Sequence, residues 1–156
     1  TTRLGIRLEK TFEYIDTPHK FKMGVSGCPR SCVESGVKDF GIISVENGFQ
    51  IYIGGNGGTE VEKAEFLTTV ETEDEVIKLC GALMQYYRET GIYAERTAPW
   101  LRRLGFENVK EVLLDPERQN ELFERIMDAK KAVEAEPWEA ITSNAQARRI
   151  FEVEKV

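Results

Sequence analysis

Two thiols stand four positions apart in Ser26-Gly27-Cys28-Pro29-Arg30-Ser31-Cys32. At that spacing three chemistries are open. The pair could close a disulfide, supply one half of a zinc site, or supply half of the four thiolates an iron–sulfur cluster takes; a proline directly after a cysteine ligand recurs in cluster motifs. None of the three is complete in the sequence. The one histidine is His19, and the third cysteine, Cys80, lies in the apolar stretch Val76–Met84, where a free thiol behaves as a small hydrophobe. An odd cysteine count with no leader in view argues for a reducing compartment and against the disulfide. From spacing alone the pair reads as half of a metal site or as an isolated structural pair.

Two further features bear on the same site. Gly54-Gly55-Asn56-Gly57-Gly58 holds four glycines in five residues, which permits close approach of a ligand or another backbone and is expected to leave amides bare. It lacks the lysine and hydroxyl residue of a phosphate-binding P-loop. Lys20, Lys22, Arg30 and Lys38 form a local basic excess opposed within that window by Glu34 alone. Such a patch suits a small anionic ligand or is a set of solvated cations.

These residues need a scaffold, and the periodicities supply one. Leu4, Leu8, Phe12 and Ile15 recur at helical spacing, and Thr17-Pro18 stops that helix. Phe21, Met23 and Val25 alternate as in a half-buried strand, which delivers the cysteines at a strand-to-loop junction opening a short helix. Phe40–Glu46 and Phe49–Ile53 flank Asn47-Gly48, the sequence of a type I′ hairpin. Pairing Glu46 with Phe49 places Ile42, Phe49, Ile51 and Ile53 on one face. Residues from 59 onward read as helical. Thr72 with Glu75 forms a capping box for a helix to about Glu89 with Gly91 at its end. Thr97 opens a short helix ending near Gly105, and Asp115-Pro116 launches another through about Ala132. Pro137-Trp138 begins a last segment. The sum is an α+β domain, a small antiparallel sheet with a hairpin over about 39–54 and a helical C-terminal half.

The 156 residues carry 21 basic against 27 acidic side chains, for a net charge of −6, and a pI of about 5.0. Residues 1–58 sum to +1 and the remainder to −7. An acidic chain without a basic stripe is a poor nucleic-acid binder. No apolar run reaches the roughly 20 residues of a membrane span. The chain opens without Met inside a helical pattern, and so reads as a piece of a longer protein.

Phe21–Cys32, the hairpin and Ile53–Gly58 together resemble the iron–sulfur/siroheme half-domain of the siroheme nitrite and sulfite reductases. Tyr86-Tyr87-Arg88, Arg96-Thr97-Ala98-Pro99-Trp100-Leu101 and Pro137-Trp138 resemble the C-terminal region of the large subunit in the NAD(P)H-dependent nitrite reductase branch. The similarity runs to about Ile141. It implies a truncated siroheme/4Fe-4S domain over 1–141 and a polar tail over 142–156.

In that family two cysteine pairs hold a 4Fe-4S cluster. The resemblance assigns Cys28 and Cys32 to the second pair, with Cys32 also bridging to the siroheme iron. It implies that Arg30, Asn56 and Lys22 contact the macrocycle, and that the first cysteine pair lies upstream of this chain. FAD and NAD(P)H would also bind upstream. The implied partners are the N-terminal part of the parent chain, a small subunit and nitrite, in the cytoplasm, with no nucleic acid and no membrane. The implied activity is six-electron reduction of nitrite to ammonia by the parent, with the 156 residues alone inactive. The alternatives are an assimilatory sulfite reductase fragment and a non-catalytic metal-binding module. Two expectations follow for the structure: a cavity where Cys28, Cys32 and Gly54–Gly58 converge, and an exposed apolar face.

Overall fold

In a computed structural model of the chain, residues 1–134 are described together with Ser143, Asn144 and Gln146. The expected segment at Pro137-Trp138, the boundary at 141 and the bulk of the polar tail lie outside the described residues.

The chain begins with α1 (Thr2–Phe12), which buries Leu4, Leu8 and Phe12, the stripe its spacing predicts. Strand β1 (Met23–Ser26) follows, then β2 (Phe40–Val45) and β3 (Gly48–Ile53). A short two-stranded excursion, β4 (Asn56–Gly57) and β5 (Val61–Glu62), precedes β6 (Glu65–Val70). The main sheet has the order β1-β2-β3-β6. Its fold class is the α+β expected, with two differences. The sheet is mixed, because β1 runs parallel to β2 while the other pairs are antiparallel. Residues 65–70, read as the start of the helical half, form its fourth strand.

The hairpin registers as Val45 opposite Gly48 and Ile42 opposite Ile51. That is two residues from the expected pairing, and a two-residue slip keeps every side chain on its face. Ile42, Ile51 and Ile53 therefore still point into the core. Neither turn residue, Glu46 or Asn47, takes the positive φ of a type I′ turn. Gly48 does, at +137°, with the Val70 carbonyl so close that a Cβ would sit 2.2 Å from it.

Four helices complete the domain. Helix α2 (Glu73–Thr90) starts at the Thr72–Glu75 capping box and buries Val76, Leu79, Cys80, Leu83 and Tyr87 against the sheet residues Phe40, Ile42 and Ile51. It ends at Gly91 in extended backbone (φ −74°), so the expected glycine-type cap is absent and the residue instead packs tightly on Tyr87 and Pro18. Helix α3 (Thr97–Leu104) stops at Gly105, and α4 (Phe106–Leu114) starts again at once. Helix α5 (Pro116–Glu134) is capped by Asp115, whose Oδ1 accepts from the Arg118 amide at 2.9 Å, and packs along α2. No helix among the described residues is long and apolar enough to cross a membrane.

Candidate metal centre

Parallel pairing of β1 with β2 forces the chain to cross back over the sheet between them. Residues 27–39 make that crossover, and both cysteines ride on it. Its first half is pinned at the base. The Ser35 hydroxyl, fully buried, lies 2.8 Å from that of Ser26, 3.1 Å from the Gly24 carbonyl and 3.0 Å from that of Ile42. The segment 27–34 thus leaves and rejoins the sheet at one hydrogen-bonded point. Within it the Ser31 amide donates to the Cys28 carbonyl and the Glu34 amide to the Ser31 carbonyl. Ser31 and Glu34 both take left-handed φ, 52° and 54°, which is uncommon for non-glycine residues and folds the loop tightly. The expected helix opening at the cysteines is replaced by these turns; a three-residue 3-10 helix comes only at Ser35–Val37.

That short helix passes directly over β2. A Cβ on Gly41 would sit 1.9 Å from the Ser35 carbonyl oxygen, so only glycine lets the crossover lie so close. Further along, the crossover meets the glycine-rich loop. The Gly54 amide donates to the Asp39 carbonyl at 3.1 Å and the Gly55 amide to that of Lys38 at 2.9 Å. These two amides are therefore not bare, and Asn56-Gly57 are taken up in β4. A cavity of about 420 Å³ opens between the two loops, lined by Ser31, Glu34, Gly36, Val37, Gly57 and Val61. The expected convergence of Cys28, Cys32 and Gly54–Gly58 on a cavity is not what forms: neither cysteine lines it, and Gly57 is the one residue of that loop that does. Val61 of its lining is largely exposed.

All three cysteines are free. Cys28 is half-buried, Cys32 exposed, and Arg30 between them is exposed with no ion-pair partner among the described residues. Cys80 is a different kind of thiol. It is fully buried, its Sγ lies 3.6 Å from the Met23 Sδ, and burial pushes its pKa up. It packs in the core, as its apolar neighbours imply. The Asn56 Nδ2 donates to the Glu60 carbonyl at 2.8 Å, closing its own turn, and Asn56 does not line the cavity. Lys22 is exposed but stands at the other end of β1, so the fold does not bring it to the cysteines. Lys38 packs its stem over Gly24 and pairs with Glu34 at 3.8 Å.

The residues that sequence reasoning missed hold the site from behind. Asp39, 0 % exposed, accepts from the Lys22 amide at 2.7 Å, from Arg96 Nη2 at 3.0 and 3.2 Å, and from the Thr97 hydroxyl. Removing one partner of such a buried pair costs about 3–5 kcal/mol. Trp100 is buried edge-on against Tyr86 and Tyr87, its Nε1 donating to Thr90 Oγ1. Leu101 presses on Gly54, where a Cβ would come within 2.5 Å of its Cδ2. The Arg96–Leu101 motif is therefore a brace for the glycine-rich loop. Its polar start before a helix was visible; its target, Asp39, was not.

Residues 1–121 match the nitrite and sulphite reductase 4Fe-4S domain, and the chain belongs to that family. It is 47% identical over 150 residues to the nitrite reductase (NAD(P)H) of Bacillus subtilis (strain 168), covering 96% of this chain and 18% of that protein. It is 39% identical over 150 residues to the nitrite reductase (NADH) large subunit of Escherichia coli (strain K12), covering 93% and 18%. A sulfite reductase of assimilatory type from Nitratidesulfovibrio vulgaris is 29% identical over 111 residues, covering 71% of this chain and 51% of that protein. Among solved structures, that of the Mycobacterium tuberculosis NirA protein shares the fold, with a TM-score of 0.62 and 23% identity over 72% of this chain and 22% of that one. The chain thus spans about a fifth of the length of these two nitrite reductases.

A 4Fe-4S cluster takes four thiolates. Among the described residues two thiols suit it, Cys28 and Cys32, free and on a loop whose ends are fixed; no group of three metal-ligating side chains occurs. The donor set fits one half of a cluster. An exposed cation without an ion-pair partner among the described residues, Arg30, fits an anionic macrocycle alongside it, whereas Lys22 lies away from the cysteines.

Proposed function

We propose that this chain is the C-terminal siroheme/4Fe-4S portion of the large subunit of an assimilatory NAD(P)H nitrite reductase, whose parent reduces nitrite to ammonia. The observation that carries the reading is the Cys28–Cys32 pair, free and held on a crossover pinned at Ser26–Ser35. Membership of the 4Fe-4S domain family and the nitrite reductase relatives support it.

In this reading Cys28 and Cys32 would hold one side of the cluster, and Cys32, the more exposed thiol, would be the ligand shared with the siroheme. When bound, the coupled groups would relay to nitrite, in successive transfers, the six electrons that NAD(P)H provides to the parent. The chain's own part is to bind and orient. Arg30, exposed between the two cysteines, and Asn56, in the glycine-rich loop, would donate to the macrocycle's carboxylates, and Lys22 would reach it only from the opposite end of β1. Charged donors of this kind form the stronger hydrogen bonds to carboxylates. The remaining two thiolates, the FAD and NAD(P)H sites and the contacts to a small subunit belong to the rest of the parent, in the cytoplasm, where three free thiols are at home. The 156 residues alone hold no complete cluster and reduce no nitrite.

A second reading, assimilatory sulfite reduction, is favoured by the sulfite reductase relative, half of whose length this chain covers. The test is an anaerobic absorption spectrum with siroheme analysis of the full-length parent, followed by nitrite and sulfite assays. Siroheme bands with faster turnover of nitrite support the proposal. Faster turnover of sulfite selects the second reading, and a colourless, metal-free parent leaves only a non-catalytic module.

A further inference from the structure

Asp39 gathers donors from three separate parts of the chain. Its carboxylate takes the Lys22 amide at the entry to β1 and the Arg96 and Thr97 side chains at the start of α3, while its carbonyl takes the Gly54 amide of the glycine-rich loop. Arg96 is 15 % exposed, its Nε is buried without a partner, and its ion pair is with Asp39. The guanidinium is therefore held in place by this one carboxylate. An uncharged amide in its place would offer fewer lone pairs and leave Arg96 without a counter-charge.

The residue also stands at a junction. The cysteine crossover ends at Asp39, and the loop facing that crossover across the cavity begins at Gly54. We propose that Asp39 is the positioning residue of this half-site, fixing the glycine-rich loop against the cysteine crossover so that cluster thiolates and macrocycle donors keep one mutual arrangement. Asp39 is wholly buried and touches neither group, so it acts through Gly54, Arg96 and Thr97. The inference rests on the reading that Cys28 and Cys32 hold a cluster.

The test uses the full-length parent, with iron content of the wild type measured first. Asp39→Asn removes the charge; Thr97→Val removes one donor at nearly constant volume and carries the test where Asp39→Asn does not fold. Arg7→Ala, which breaks the bridge from α1 to Glu73 and Asp74 and removes no hydrogen bond to Asp39, Arg96 or Thr97, controls for general destabilisation. The readouts are hydrogen exchange at Gly54 and Gly55, the rate of iron release to a chelator, and the electron paramagnetic resonance spectrum of the reduced cluster. The expected result is exchange and iron release about tenfold faster in Thr97→Val or Asp39→Asn, with an altered spectrum, and neither change in Arg7→Ala. Faster exchange with unchanged iron release and spectrum would overturn the proposal, leaving Asp39 a fold residue only. Unchanged exchange would overturn it as well. An iron-free wild type would instead defeat the cluster reading, and the inference with it.

Discussion

Substituting Gly41 by alanine probes the crossover at its tightest point. The added Cβ would lie 1.9 Å from the Ser35 carbonyl oxygen and 2.7 Å from its carbon, both backbone atoms. Ordinary contact begins near 3.4 Å, so the segment must retreat by about 1.5 Å. The Ser35 hydroxyl contacts at 2.8, 3.0 and 3.1 Å do not survive a shift of that size. Each lost hydrogen bond costs about 1 kcal/mol, and overpacking a filled core costs about 1–3 kcal/mol. With one proton to donate, the Ser35 hydroxyl makes one donated and one accepted bond at a time, so a loss of about 3–5 kcal/mol is expected, or about 6–20 °C in Tm for a chain of this size. Gly36→Ala is the matched control, since a Cβ there meets nothing within 4 Å; its effect should stay within about 0.5 kcal/mol. Urea denaturation of the two variants, with m-values compared, makes the measurement. Equal stabilities for Gly41→Ala and Gly36→Ala would refute the reasoning, because the clash is then not where the fold places it.

The remaining predictions concern the supporting elements. Thr72→Ala should cost about 1 kcal/mol in denaturant, through loss of the side-chain cap on the Glu75 amide. Hydrogen bonds from the Thr72 amide, then its hydroxyl, then the Glu71 amide hold Glu75 below the usual carboxylate value of 4.5. Its stabilising share is therefore present above 4.5 and lost as pH falls through the folded value, so wild type and Glu75→Gln should converge in acid; a gap that widens would contradict this. Tyr87 donates to the Glu95 carbonyl, and burial, then the Asp39 charge, push its pKa up to about 12 from 10.0. Its contribution should be intact below pH 10.0 and fade towards 12, giving wild type a steeper alkaline loss of stability than Tyr87→Phe.

What was legible in the sequence is what neighbouring residues decide. The capping box at Thr72, the Asp115-Pro116 start of α5, the hairpin strands and the stripe of α1 all rest on contacts within a turn or two. Strand β6 was not legible because a bulge breaks its alternation: Ile51 pairs with Thr68 and Tyr52 with Phe66, leaving Leu67 extra and buried. Helix α4 was hidden because Gly105, read as a stop, serves both as the end of α3 and the start of the next helix. The parallel pairing of β1 and the Asp39 hub depend on partners as far as 57 and 58 residues away, which no local pattern announces. The cysteine pair was visible by type and spacing. That its loop is a crossover pinned by Ser26 and Ser35 was not, since two serines carry no signal until the strands bring them together.

In the proposed reading Cys28 and Cys32, and not Cys80, are ligands of a cluster completed by the rest of the parent. Iron and acid-labile sulfide should be quantified in the anaerobically purified parent and in its Cys28→Ser, Cys32→Ser and Cys80→Ala variants. The expected result is about four irons per cluster in the parent, little or none in the first two variants, and wild-type iron in Cys80→Ala despite reduced stability. Full iron and sulfide in Cys28→Ser and Cys32→Ser, or their loss in Cys80→Ala alone, would contradict it.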